Sequence, residues 1–87
     1  LSASTMVQVQ TFPNPVTNEL RVMIPNNWQG KMIAYEIYTN AGLLVKRIQN
    51  ASAAQIQQIN VQSLSTGNYI IRVMNGSEKS VSKFIKQ

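Results

Sequence analysis

Tyr69-Ile70-Ile71-Arg72-Val73-Met74-Asn75-Gly76-Ser77-Glu78-Lys79-Ser80-Val81-Ser82-Lys83-Phe84-Ile85-Lys86 is the stretch on which the fold turns. On either side of Asn75-Gly76, apolar residues recur at every second position, the mark of a strand with one buried face. Asn and Gly both tolerate positive φ, which a type I′ turn requires at its two central residues, so Asn75 and Gly76 predict a tight antiparallel hairpin. The second run is ambiguous in phase. Val81 and Ile85 share one face and Phe84 takes the other, so either a large apolar side chain is left over or a bulge shifts the alternation.

Upstream, the same two-residue period predicts strands over Val7 to Phe12, Leu20 to Ile24, Met32 to Thr39, Leu43 to Ile48 and Ile56 to Val61. Leu20, Val22 and Ile24 share a core face, as do Ile33, Tyr35 and Ile37. Backbone chemistry punctuates these runs: Asn40-Ala41-Gly42 and Ser65-Thr66-Gly67 supply turns, and Pro13-Asn14-Pro15 and Pro25-Asn26-Asn27 interrupt the ladder. Ala51 to Ile56 is compatible with one helical turn or a loop. Seven short strands so spaced predict an all-β fold, an immunoglobulin-like two-sheet antiparallel β-sandwich. Residues 7–87 make the domain. Residues 1–6, with Ser2, Ala3, Ser4 and Thr5, read as a linker from an upstream domain, and the opening Leu1 suggests a fragment of something longer.

Composition narrows the chemistry. A chain of 87 residues with 44% hydrophobic and 13% charged residues is that of a small folded domain, able to bury about 60 to 65% of its unfolded surface. His, Cys and Asp are absent, and Glu19, Glu36 and Glu78 are the only carboxylate side chains. Ser/His/Asp and Cys/His catalysis, zinc sites and Asp-built calcium loops are thereby excluded, and no cofactor is implied. A Ser/Lys or Glu pair has no motif around it, so an enzyme is not expected. No apolar run approaches the roughly 20 residues of a membrane span, and no signal peptide opens the chain. Eight Lys and Arg give a net charge of +5, but they are dispersed, which fits a solvated surface better than a nucleic-acid patch.

Four features in order carry a resemblance: Pro13-Asn14-Pro15 with Asn18-x-Leu20; Ile37-Tyr38-x-x-x-Gly42; Ile59-x-Val61-x-x-Leu64-x-x-Gly67-x-Tyr69-x-Ile71-x-Val73; and the final Lys83-Phe84-Ile85-Lys86. Together they resemble the C-terminal sorting domains of type IX secretion cargo, from about Phe12 to Gln87. That resemblance implies a secretion signal of a Gram-negative bacterium, carried folded through the periplasm and read by an outer-membrane translocon. It further implies removal by a sortase-like surface protease that attaches the cargo to anionic lipopolysaccharide at the cell surface. The domain would be substrate rather than catalyst, with no nucleic-acid partner and no insertion into the membrane.

The motif and turn residues Pro13, Asn14, Pro15, Gly42, Leu64, Gly67, Tyr69, Asn75 and Gly76 are explained first by structure, as turn formers and core. Pro13 and Pro15 could in addition hold the linker away from the sandwich, open to a protease. Recognition is expected on the last strand, at Val81, Lys83, Phe84, Ile85 and Lys86, where an exposed sheet edge could accept a strand from a receptor. Lys83 and Lys86 would guard that edge against self-association. Trp28, in a loop, is expected to plug one end of the sandwich. The rival readings are a carbohydrate-binding module gripping sugar with Trp28 and Tyr38, and an adhesion or spacer domain of the same fold.

Overall fold

The computed structural model describes residues 9–87. It contains β1 (Gln10–Phe12), β2 (Glu19–Met23), β3 (Ile33–Thr39), β4 (Leu44–Asn50), β5 (Ile56–Asn60), β6 (Gly67–Asn75) and β7 (Glu78–Lys86). The strands form two antiparallel sheets, ordered β1-β2-β5 and β4-β3-β6-β7. Every strand predicted from periodicity is present within a few residues. The proposed linker and the first two residues of the predicted opening strand lie outside the described residues.

Alternation places the core as expected. Leu20 and Val22 of the smaller sheet, with Ile24 just past the end of β2, meet Ile33, Tyr35, Ile37, Ile71 and Val73 of the larger, all buried. Burial of these side chains at about 25 cal/mol per Å² of apolar surface is the main stabilising term. Ala51 to Gln55 is a loop rather than a helical turn. Ala53 anchors it, donating its N–H to Lys31 O at 3.0 Å and accepting from Gly30 N–H at 2.9 Å.

Two ends of the sandwich follow from the register. At the first, where the described chain enters at Val9, lie the β6–β7 hairpin, Ala53 and a 3-10 turn at Asn26–Trp28. Trp28 is fully buried there, and its indole N–H donates to Glu78 Oε1 at 3.1 Å. It is the plug the sequence suggested. At the opposite end lie the β3–β4 turn, the start of β6, the last residues of β7 and the Pro13-Asn14-Pro15 segment.

The last hairpin corrects one detail. Asn75 pairs with Glu78, so the two-residue loop is Gly76-Ser77, one residue later than expected. Among the described residues only glycines have positive φ, and Gly76 sits at +60°. A glycine at the first central position with an ordinary second residue is what a type II′ turn needs, not type I′.

Candidate recognition site at the C-terminal strand

β7 is an edge strand, paired with β6 without a register shift from Asn75↔Glu78 to Gly67↔Lys86. No bulge is needed; a bulge occurs instead between β3 and β4 at Ile37/Tyr38. The ambiguity of phase resolves in favour of Phe84, which is 1% exposed and stacks on Tyr69 with ring centroids 5.6 Å apart. Val81 and Ile85 point outward, 58% and 45% exposed. They are the large apolar side chains left over.

Lys86 corrects a second expectation. It shares the inward face with Phe84, is only 6% exposed, and donates from Nζ to Gln87 O at 2.9 Å. A buried lysine cannot guard an edge as a solvated charge; of the two gatekeepers only Lys83 is exposed.

In an antiparallel ladder only alternate residues of an edge strand bond to the neighbour; the others turn N–H and C=O outward. With Asn75 and Glu78 closing a two-residue loop, the even residues of β7 bond to β6, and Lys79, Val81, Lys83 and Ile85 face outward. Ile85 verifies the phase, because both of its outward groups are occupied. Its N–H donates to Asn14 Oδ1 at 2.9 Å and its C=O accepts from Val16 N–H at 2.8 Å. Gln87 N–H then donates to Val16 O at 2.8 Å. The terminal quarter of the edge is sealed by the chain itself, and among the described residues no partner covers Lys79 to Lys83.

Asn14 therefore does more than terminate a strand. The Pro13-Asn14-Pro15 segment follows β1 at the end opposite to Val9, so it cannot prop a preceding linker away from the sandwich. It pins the last strand instead, across 71 positions of sequence, a distance at which no local pattern could reveal the pairing.

The remaining motif residues gather round the same end. Gly42 takes φ of +89° in the β3–β4 turn, where Gly42 N–H donates to Thr39 O at 2.9 Å. Gly67 opens β6 opposite Lys86, the Tyr69 hydroxyl donates to Ser65 O at 2.6 Å, and Leu64 packs against the core with its N–H on Val61 O. Asn14, Asn40, Asn68 and Lys83 line a shallow recess of about 370 Å³ floored by Tyr69 and Phe84. Asn75 and Gly76 alone belong to the other end.

The outer face of the larger sheet carries one dense charge cluster. Glu36, 7% exposed, receives Arg72 Nη2 at 2.8 Å, Arg47 Nε at 3.1 Å and the Tyr38 hydroxyl at 2.6 Å. Hydrogen bonds from Tyr38 and Arg72 hold the Glu36 carboxyl below its ordinary pKa, and the same carboxylate raises that of Tyr38. The Arg72 guanidinium also lies over the Tyr38 ring, 5.5 Å from its centroid. With Trp28 buried and Tyr38 engaged on both ring and hydroxyl, neither aromatic is free as a sugar platform.

Compared with known families, residues 10–87 match the secretion system C-terminal sorting domain. The chain belongs to that family. None of the curated proteins compared with it matches. The sorting domain is a type IX secretion signal, which marks its cargo for export to the cell surface or the extracellular space and works through the secretion machinery. Such signals are not a catalytic family.

Proposed function

We propose that the sorting domain is a passive, non-catalytic substrate with two working ends: cargo is tethered through residues 1–6 at the Trp28 end, and the translocon reads the β7 edge with the motif end beside it. The observation that carries this reading is convergence. Pro13-Asn14-Pro15, Gly42, Gly67, Tyr69 and the last residues of β7 come from separate segments yet assemble around one end, away from the point where the described chain enters. Reading would follow transit of the folded domain through the periplasm. After export a sortase-like surface protease would cut in the linker and join the cargo to anionic lipopolysaccharide.

Of the five recognition residues, Val81, Lys83 and Ile85 offer side chains to a receptor; Phe84 and Lys86 act by holding the strand in place. Mass spectrometry of a surface-exposed reporter fused ahead of residue 1 tests the processing step. The reporter should end before Val7 and carry a lipopolysaccharide adduct. Recovery of exported reporter still joined to residues 7–87 would contradict it.

A further inference from the structure

The free part of the β7 edge is short and chemically patterned. Lys79, Val81 and Lys83 each present an outward N–H and C=O, and their side chains lie exposed on the outer sheet face in the order cation, apolar, cation. Beyond Lys83 the edge is closed by Asn14 and Val16; before Lys79 it ends in the Gly76-Ser77 turn. A strand added here is therefore confined in length and register. Residues directly opposite across a ladder interact by charge and by contact, with like charges unfavourable.

We infer, resting on the reading of β7 as the translocon's docking edge, that the occupant is an extended segment of a partner protein in which an acidic, an apolar and a second acidic residue alternate on one face. Its acidic side chains lie opposite Lys79 and Lys83, and its apolar one lies on Val81. Charge decides against a second copy of this chain. The antiparallel register that uses all three residues of both copies sets Lys79 against Lys83 twice, with Val81 on Val81, and among the described residues neither lysine has an ion-pair partner to offset the repulsion. The net charge of +5 favours an acidic partner in the encounter as well. The opposite edge, β4, is a poorer track: its flank is tied to β5 by Lys46 Nζ on Asn60 O at 2.8 Å and Asn50 Nδ2 on Gln57 Oε1 at 3.1 Å.

The test uses cyclised β-hairpin peptides whose outer strand alternates threonine with Glu, Val, Glu or with Lys, Val, Lys, titrated into the 15N-labelled domain. The acidic peptide should protect the Lys79, Val81 and Lys83 amides from exchange and bind about tenfold more tightly than the basic one, a gap expected of two cross-strand ion pairs and one that closes as salt is raised. The double variant Lys79→Glu/Lys83→Glu should invert the preference. Equal binding of both peptides, perturbation centred on β4, or no perturbation would overturn the inference. Export of a fused reporter separates the two levels of argument. If the wild-type fusion is exported and the double variant is exported equally well, the acidic-strand inference fails and the sorting reading stands; if the wild-type fusion is not exported, both fail.

Discussion

Replacing Phe84 by Ala should strongly destabilise the domain, although Phe84 lies on an edge strand, three residues before Gln87. Its side chain is 1% exposed and stacks on Tyr69. Truncating a buried Phe to Ala costs about 3–5 kcal/mol, which includes the cavity left behind, and the aromatic contact adds to that roughly 1 kcal/mol. At about 0.05–0.15 kcal/mol per residue, a domain of 87 residues has a total stability of roughly 4–13 kcal/mol. An edge strand can relax into part of the void, so the low end of the range applies, which corresponds to a fall in Tm of the order of 15–30 °C for a domain this size. Thermal unfolding followed by near-UV circular dichroism reads it directly, with Val81→Thr as the exposed control expected within about 0.5 kcal/mol of wild type. A fall of less than about 5 °C for Phe84→Ala would mean that Phe84 does not belong to the core and that the phase of β7 is wrong. A practical consequence is that deleting Lys83 to Gln87 removes Phe84 and the Ile85–Asn14 bond together, so loss of export on such a truncation reports unfolding rather than lost recognition.

Further outcomes follow from single contacts. Trp28→Phe removes the indole hydrogen bond to Glu78 and should cost about 2 kcal/mol, measured by urea unfolding. Asn14→Ala leaves the Ile85 N–H without its acceptor; about 1 kcal/mol of stability should be lost, with faster hydrogen exchange concentrated at Ile85 and Gln87. Because Glu36 titrates below its ordinary value of 4.5 when folded, the unfolded chain takes up its proton first as pH falls, so the stability Glu36 contributes is present above that value and is lost as pH drops through its folded pKa. Glu36→Gln should flatten that acid limb while lowering stability at neutral pH, seen in Tm against pH; an unchanged limb would separate the Arg47–Glu36–Arg72 cluster from acid sensitivity.

What the sequence made legible was whatever a two-residue period encodes. Leu20, Val22, Ile33, Tyr35, Ile37 and Ile71 are inward because alternation alone fixes the face once a strand is recognised. Glu36 shows the limit of that logic: it points outward as the period demands, yet it is almost covered, because Arg47 and Arg72 on the two neighbouring strands close over it. The hairpin turn moved by one residue because Asn75-Gly76 and Gly76-Ser77 are both workable and the pairing of Asn75 with Glu78 selects between them. At the candidate site, the identity of the last strand was readable, but its sealing was not. Asn14, Val16 and Lys86 meet through long-range contacts, and a lysine beside the terminus is expected in solvent unless the strand next to it is known.

The most direct trial of the central claim, that a receptor docks on the open edge of β7, is a Val81→Pro reporter fusion expressed in a bacterium with the type IX pathway. The Val81 N–H faces away from β6, so proline there removes no rung of the β6–β7 ladder while blocking addition of another strand; Ser82→Pro, which does remove a rung, serves as the unfolding control. The account predicts that Val81→Pro keeps Tm within about 5 °C of wild type and abolishes export. Export at the wild-type level from a folded Val81→Pro domain would contradict it.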